Sequence, residues 1–367
     1  MKKLSKPLVG ILDWYIIKKF LGTYIFMIVL IISISVVFDI NEKIDKFMTN
    51  NAPLKAIIFD YYMNFIPYYA NLFSPLFVFI AVIFFTSKLA NNSEIIAMLS
   101  NGISFRRLLK PYMISAAVIA VFSFVFGGYI IPKANKTRIN FEANYINLKI
   151  KKTGDRDIQF KLSDSTVVFF GSFDMTAKTG YDFSIDRFDS LKLVSRLTAK
   201  SVRYKSNYDW EIKDYQIREF NGLIETITKG ERIDTVMQIV PDDFVIAKSD
   251  QQMMTTSELG HYIETQSKRG IGNIQAFEIE LHSRYASVFS AFILTLIGAS
   301  LSARKVKGGG MGVNIGFGLV LSMGYILFMT VSSSFAVQGT MSPFIAAWIP
   351  NLFFAGIALY LYRKAPN

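Results

Sequence analysis

Long stretches without any charged residue restrict how this chain can fold more than any other feature. Five such runs occur in the 367 residues, with lengths of 19, 27, 20, 19 and 55 residues; in chain order they are 20–38, 61–87, 112–131, 285–303 and 308–362. A helix needs about 20 apolar residues to cross the hydrocarbon core of a bilayer. The last run can hold two helices joined by a turn at 337–343, where Gly and Pro interrupt the apolar pattern. The sequence therefore predicts an α-helical membrane protein with six spans.

The distribution of positive charge predicts an orientation for these spans. The polar region 133–276 carries 22 basic and 20 acidic residues, whereas the rest of the chain carries 18 and 8. With a cytoplasmic N-terminus, 14 basic residues fall inside and four fall outside, apart from the polar region. Because Lys and Arg accumulate on the cytoplasmic side, we expect both termini in the cytoplasm and the polar region in the periplasm of a bacterium. A nucleic-acid binder would more often carry its excess charge on a polar domain, so nucleic acid is not an expected partner.

The polar region between the third and fourth spans alternates polar and apolar residues in short runs, at 159–162, 181–186, 208–213 and 223–228. Period-two alternation broken by Gly, Asn and Asp predicts antiparallel strands. Several such strands indicate an inserted all-β domain, either a sandwich or a jelly roll. Helices are predicted on both sides of it, at 135–149 and 256–269. The predicted organisation is spans one to three in 1–132, the β domain with its flanking helices in 133–276, and spans four to six in 277–367.

Proline residues interrupt two of the apolar runs. Pro67 and Pro75 lie in the second run, and Pro350 lies in the last. A proline inside a helix removes a hydrogen bond and bends the axis. The bends are either tolerated kinks or a means of splaying helices apart around a cavity, and the sequence leaves both interpretations open.

The sequence offers no residues for common catalytic chemistry. Cysteine is absent and histidine occurs twice, which excludes thiol catalysis and Cys/His metal sites. No P-loop pattern is present. We therefore expect no catalytic site, no metal site and no cofactor. A membrane enzyme would have to rely on residues such as Asp39 and Asp60, which both lie at span ends.

A short amphipathic helix is predicted on the cytoplasmic side at 91–102, between the second and third spans. Asn91 or Ser93 can cap its start, Glu94 lies three residues after Asn91 as in a capping box, and Gly102 is placed as the C-terminal stop. Its apolar residues recur at i, i+3 and i+4 and form one face: Ile95, Met98 and Leu99.

Two roles fit this helix. It can lie among lipid headgroups, or it can dock into a groove on another protein. Anionic headgroups would repel the carboxylate of Glu94, whereas a basic groove would attract it. The pattern by itself leaves both roles open.

Several short motifs occur in a specific order along the whole chain. They are Leu-Asp-Trp-Tyr at 12–15, Ile-Pro at 66–67, Ser-Pro at 74–75, Ser-Glu-Ile-Ile at 93–96 with Gly102 after it, Met-Gly-Val and Gly-Phe-Gly within 311–318, and Leu-Tyr-Arg-Lys at 361–364. In order and spacing they resemble the lipopolysaccharide export permease family, LptF/LptG (YjgP/YjgQ). Residues 93–102 resemble the coupling-helix motif of that family.

The resemblance implies a mechanism and a set of partners. Two such permeases pair in the inner membrane, so this chain would pair with a second LptF/LptG-type permease or with itself. A cytoplasmic ATPase dimer would bind the coupling helices, lipopolysaccharide would enter sideways from the outer leaflet, and the β domains would pass it to periplasmic bridge proteins. The residues that the resemblance assigns to ATPase coupling are Ser93, Glu94, Ile95, Met98, Leu99 and Gly102.

A lipid path is expected along the first and fifth spans. Family members often carry basic residues near the outer end of span one, suited to lipid phosphates, but here residues 38–43 read Phe-Asp-Ile-Asn-Glu-Lys. Asp39 departs from that pattern. Lys43 and Lys46 are expected to take the place of the family's basic residues. The full set of lipid-path candidates is Ile34, Asp39, Lys43, Lys46, Arg284 and Leu321.

A function of a different class also fits these sequence features. A non-transporting inner-membrane scaffold would equally display a β domain outside the membrane, but it would have no use for a helix that docks an ATPase. Co-purification of a small ATPase would separate the two functions.

Overall fold

The computed structural model of the chain describes residues 10–146, 156–190, 192–222, 224–241, 250–269, 274–303 and 310–365. The chain divides into two compact units, one comprising Met1–Phe141 with Glu278–Asn367 and the other comprising Glu142–Phe277. In the described part of the chain, six helices are long and apolar enough to cross a membrane. The predicted six-span architecture with an inserted β domain is therefore confirmed.

The helices follow the apolar runs and extend beyond several of them. In chain order they are α1 Ile11–Thr49, α2 Leu54–Ala56, α3 Met63–Leu72, α4 Ser74–Asn91, α5 Glu94–Ser100, α6 Phe105–Val125, α7 Ile131–Tyr145, α8 Thr256–Arg269, α9 Gln275–Ser302, α10 Gly310–Val337 and α11 Pro343–Arg363. π-Helical segments join α2 to α3 at Ile57–Tyr62 and α6 to α7 at Phe126–Ile130. α8 has the predicted bounds. The helix predicted at 135–149 corresponds to α7 as far as Tyr145, and residues 147–149 lie outside the described residues.

The second apolar run is not the single bent helix that the sequence predicts. α3 ends at Leu72 and α4 begins at Ser74, with Phe73 between them at φ −92° and ψ 8°. Pro75 lies in the first turn of α4, where proline is well tolerated because the missing N–H would have no helical partner there. Pro67, by contrast, lies inside α3. The run is therefore broken into two helices rather than bent.

Helix α4 is the most deeply buried of the six candidate spans. Phe77 on one side belongs to an apolar cluster with Phe20 of α1. On the other side, Phe79 belongs to a second cluster with Leu294 of α9 and Tyr325 of α10. In a membrane, lipid tails are as apolar as the side chains, so close packing has to hold such helices together. α4 supplies that packing to helices on both of its sides.

α9 approaches α4 closely at Gly298. A Cβ atom at this position would lie 2.9 Å from Cγ1 and 3.1 Å from Cβ of Val82, and 3.2 Å from Cδ2 of Phe79. Val82 cannot rotate away easily, because a β-branched side chain in a helix has one strongly preferred rotamer. Only a glycine therefore fits here without displacement of one helix.

We expect Gly298→Ala to lower the thermal unfolding midpoint of the detergent-purified protein, because overpacking a well-packed contact costs about 1–3 kcal/mol. Gly356→Ala in α11 is the matched control, since a Cβ there meets nothing within 4 Å. The control gains helix propensity of about 1 kcal/mol, so its midpoint should stay or rise. Equal midpoints for the two variants would contradict the packing argument.

The described strands form one antiparallel sheet in which each strand pairs with the next along the chain. They are β1 Arg156–Ser163, β2 Thr166–Asp174, β3 Thr179–Asp189, β4 Lys192–Ser206, β5 Asp209–Asn221 and β6 Ile224–Val236. The order is that of a meander. Four strands contain the predicted alternating runs, but β2 was not predicted because Val167–Phe170 is a continuous apolar stretch, and β4 was not predicted because its alternation is irregular.

One face of the sheet packs around Trp210 of β5. Its side chain is fully buried with Phe170 and Phe183, and its Nε1 donates a hydrogen bond to the carbonyl of Ile239 at 3.2 Å. The backbone of Asp182 has a left-handed φ of 51° inside β3, and the cross-strand pairing is interrupted there. Aspartate tolerates this conformation better than most residues, so Asp182 suits the position where the pairing is interrupted.

Candidate functional site

Helix α5 is bracketed by two residues with left-handed backbone. Ser93, directly before it, has φ 61°, and Gly102, after it, has φ 83°. This conformation costs a non-glycine residue about 1–2 kcal/mol, so Gly102 is the residue type that its position requires. The Ser93 side chain makes no capping hydrogen bond, and Asn91 ends α4 rather than capping α5. The predicted side-chain cap is therefore wrong, although the predicted glycine stop is present.

The apolar face of α5 packs against the chain's own helices. Ile95 is fully buried in the cluster that contains Phe20 of α1 and Leu108 of α6. Met98 and Leu99 are partly buried against the same cluster. The sequence pattern identified this face correctly, but the face is occupied within the chain. The residues left on the outer side of α5 are Ile96, Ala97, Ser100 and Asn101.

The carboxylate of Glu94 connects α5 to the first span. The Tyr15 hydroxyl donates a hydrogen bond to Oε2 of Glu94 at 2.9 Å, and Nδ2 of Asn92 donates to Oε1 at 3.2 Å. Both carboxylate oxygens thus have partners inside the chain. The sequence did not predict this contact, because Tyr15 and Glu94 are 79 positions apart. Tyr15 had drawn attention only as part of the Leu-Asp-Trp-Tyr motif at 12–15.

A second connection joins α1 to the start of α6. The guanidinium of Arg107 binds Asp13 with both arms, from Nη1 to Oδ1 at 2.5 Å and from Nη2 to Oδ2 at 2.9 Å. The Asp13 side chain is only 1% exposed, and its Oδ2 also accepts a hydrogen bond from the Gly10 amide at 2.9 Å. Charged hydrogen bonds of this bidentate kind are the strong ones in proteins. The N-terminal end of α1 is thus attached to the first residue of α5 and to the helix that follows α5.

The C-terminal half of α1 carries a second polar cluster. Nζ of Lys43 donates to Oδ1 of Asp39 at 2.5 Å and also to the Tyr61 hydroxyl, and the Tyr62 hydroxyl donates to Oδ2 of Asp39 at 3.0 Å. The side chains of Lys43 and Asp39 are 17% and 11% exposed. Lys43 is therefore engaged by Asp39 rather than extended toward a ligand, whereas Lys46 is exposed. Of the two lysines expected to replace the family's basic residues, Lys46 is thus the one whose side chain is exposed to a ligand.

Arg284 lies in the interior of the helical unit. Its side chain is 8% exposed, and its Nε donates to Oε1 of Glu280 at 2.9 Å. Both residues line a cavity of about 230 Å³ enclosed by α3, α4, α6, α9 and α10, together with Asn71 and Ser123. The Ser123 hydroxyl donates to Oδ1 of Asn71 at 2.5 Å. The cavity lies beside the break between α3 and α4, so a cavity is present where the sequence offered one, but beside a break rather than a bent helix.

The two apolar lipid-path candidates lie on different helix pairs. Ile34 is 50% exposed on α1, which packs against α4 and α6. Leu321 is partly buried on α10 and lines an open apolar groove of about 710 Å³ between α10 and α11, together with Phe317 and Phe353. Within one chain these positions belong to two separate apolar surfaces.

In the second unit, β6 is an edge strand of the described sheet, because β5 is its only hydrogen-bonded neighbour there. Ile224 and Ile227 project from it with high exposure. Arg218 of β5 donates to the carboxylate of Glu225 and lowers the pKa of that group below its usual value. Edge strands present unpaired backbone groups, and charged side chains protect them from uncontrolled pairing. β6 therefore offers backbone hydrogen-bonding groups beside charged side chains.

Comparisons with known proteins agree with this architecture. The family described as lipopolysaccharide export system permease LptF/LptG matches residues 14–364. The chain is also similar to the lipopolysaccharide export system permease protein LptG of Escherichia coli strain K12, with 19% identity over 97% of this chain and 98% of the relative. The LptG protein of Escherichia coli O6:H1 strain CFT073 gives the same values. Since the family match covers nearly the whole chain, this protein belongs to the LptF/LptG family of lipopolysaccharide export permeases.

Proposed function

We propose that this permease is the transmembrane subunit of an ATP-driven exporter, which extracts lipopolysaccharide from the inner membrane and passes it to a periplasmic bridge. The observation that carries the proposal is helix α5, which is fixed to the bundle by one face and exposed on the other. The chain has no P-loop motif for binding ATP. The ATP would therefore be hydrolysed by a separate cytoplasmic ATPase dimer that contacts α5.

The burial pattern of α5 favours a protein partner over lipid headgroups. An interfacial helix turns its apolar face to the acyl chains, but here that face packs against the chain's own helices. The opposite side combines Ile96, which is 49% exposed, with Ala97, Ser100 and Asn101. One apolar side chain among small and polar residues suits a complementary protein surface, and it offers little to anchor a helix in lipid.

The orientation follows the charge bias of the sequence. We place α5 and both termini in the cytoplasm and the β domain in the periplasm, since basic residues accumulate on the cytoplasmic side. In this orientation the C-terminal end of α1, with Asp39 and Lys43, lies toward the periplasm. The edge strand β6 also lies there, where it could receive a strand from a bridge protein by β-augmentation.

The lipid path is assigned to the exposed faces of α1 and α10. Both helices keep most of their large apolar side chains outward, and only about a fifth of each candidate span is buried. Since Ile34 and Leu321 belong to separate surfaces of one chain, a closed path would need a second permease, either another family member or a second copy. Lys46 is an exposed lipid-path candidate on this side, suited to a lipid phosphate.

The orientation can be tested with single cysteines, because the chain contains none of its own. Cysteine at Asn207, in the turn between β4 and β5, should react in intact spheroplasts with a membrane-impermeant maleimide. Cysteine at Asn92 should react only after the membrane is opened. Labelling of the Asn92 variant in intact spheroplasts would contradict the orientation.

The ATPase partner can be tested on the exposed side of α5. Ile96→Asp should leave expression and thermal midpoint unchanged, because Ile96 is exposed, yet it should reduce co-purification of the ATPase in mild detergent by about tenfold or more, as expected for a charge placed in a desolvated contact. Ile96→Val is the matched control and should retain the ATPase. If Ile96→Asp retains it as well, or if the unaltered protein brings down no ATPase, the non-transporting scaffold is the better description.

The lipid path can be tested by a charge on the exposed face of α1. Ile34→Arg should block lipopolysaccharide release from membrane vesicles, because a charge near the centre of a lipid-tail cavity costs about 2.5–3.5 kcal/mol. Val118→Arg in α6 is the matched control, since Val118 is 51% exposed against 50% for Ile34. Both variants place one arginine at an equally exposed position of a candidate span. Equal loss of release in both would show that Ile34 is ordinary lipid-facing surface.

A further inference from the structure

The two ends of helix α1 are joined by an uninterrupted helix. α1 runs for 39 residues from Ile11 to Thr49, a length of about 58 Å at 1.5 Å per residue. It contains no proline and no π-helical turn. The other two routes that leave α5 are interrupted, since α4 meets the break at Phe73 and α6 meets the π-helical segment Phe126–Ile130. A displacement at α5 would therefore reach the far end of the bundle most directly through α1.

The contacts at the N-terminal end of α1 are suited to transmit such a displacement. Tyr15 holds the first residue of α5 through Glu94 at 2.9 Å. Asp13 holds Arg107, which lies just beyond α5, through two charged hydrogen bonds of 2.5 and 2.9 Å. Between these two points lie the rest of α5 and the turn at Gly102, whose backbone is left-handed. α1 is thus attached to the first residue of α5 and to the start of α6, which follows α5.

The Asp13 contact is also placed where it resists deformation. The Asp13 carboxylate is almost completely buried, whereas the Arg107 side chain is 45% exposed. Separating the pair would leave a buried carboxylate without its cation. The two helices also pack together nearby, because Phe20 of α1 contacts Tyr112 of α6 with ring centroids 6.3 Å apart. At this end α1 and the start of α6 should move as one body, while Tyr15 couples that body to α5.

We propose that Tyr15 and Asp13 are positioning residues that convert movement of α5 into movement of α1, and so into opening of the lipid path. The inference rests on the proposed function, because it takes the ATPase to act on α5. At the far end of α1, movement would displace Asp39 and Lys43 relative to Tyr61 and Tyr62, which lie on the π-helical segment before α3. That cluster holds the C-terminal end of α1 to the π-helical segment before α3, so its rearrangement would separate these two segments.

Tyr15→Phe tests the inference in the purified complex with its ATPase. The variant removes one hydroxyl from a hydrogen bond to a carboxylate and keeps the ring. We expect ATPase co-purification and ATP hydrolysis to remain, while the lipopolysaccharide released per ATP hydrolysed falls about tenfold, in line with the usual strength of such a bond. Tyr24→Phe is the matched control. It also removes a tyrosine hydroxyl of α1 that hydrogen-bonds another helix, but the partner, Ser74, lies in α4 and not in α5.

A distance measurement supplies a readout that a merely structural role would not change. Spin labels on cysteines at Met48 and Phe344, both exposed, report the position of the C-terminal end of α1 relative to α11. A non-hydrolysable ATP analogue should shift this distance in the unaltered complex and in Tyr24→Phe, but not in Tyr15→Phe. Asp13→Asn, which keeps the shape of the side chain, should reduce the shift partially.

The outcomes separate the inference from the function on which it rests. If Tyr15→Phe releases lipopolysaccharide per ATP as the unaltered complex does, or shows the same distance shift, the inference is overturned and the proposed function stands. If Tyr15→Phe loses the ATPase, Tyr15 shapes the docking surface and the transmission role is wrong. If the unaltered permease binds no ATPase, the proposed function and the inference are both wrong.

Discussion

The burial of α4 is the constraint on which the helical unit depends. Helices in a membrane gain little from apolar burial, because lipid tails solvate them as well as other side chains do. Association therefore relies on close packing, and α4 provides it on two sides, through the cluster around Phe77 and the cluster around Phe79. Gly298 brings the backbone of α9 against this helix. With α4 fixed, α1 and α10 can leave large apolar surfaces uncovered without loss of the bundle.

In this arrangement the polar contacts proposed to matter for function lie near the ends of helices. Buried charge inside a bundle is costly, and several buried or largely buried charged side chains of the helical unit have a partner of opposite charge: Asp13 with Arg107, Asp39 with Lys43, and Arg284 with Glu280. Two of these pairs lie on α1, one near each end. α5 is tied to the N-terminal pair through Tyr15 and Glu94. The proposed movement is thus transmitted from one polar cluster to the other by the single uninterrupted helix α1.

The β domain solves a different problem, because its sheet lies outside the apolar runs and needs a core of its own. Trp210, Phe170 and Phe183 supply that core on one face, and the other face carries paired charges. The meander brings strands together that are adjacent in sequence, which leaves β6 with one described neighbour. The proposed transfer to a bridge protein rests on this edge of the described sheet.

The sequence by itself determined the spans, the inserted β domain and the position of α5, because each follows from local patterning: uncharged runs, period-two alternation, and i, i+3, i+4 spacing before a glycine. It could not determine which way the apolar face of α5 turns, since Ile95 satisfies a partner's groove and the chain's own core equally well. Nor could it pair Tyr15 with Glu94 or Asp13 with Arg107, because those residues are separated by 79 and 94 positions. It also counted Lys43 as a free cation, although Asp39 lies one helical turn away and engages it. Only the tertiary structure decides these contacts, because they depend on how separate helices pack, and packing is a property of shape that no local pattern records.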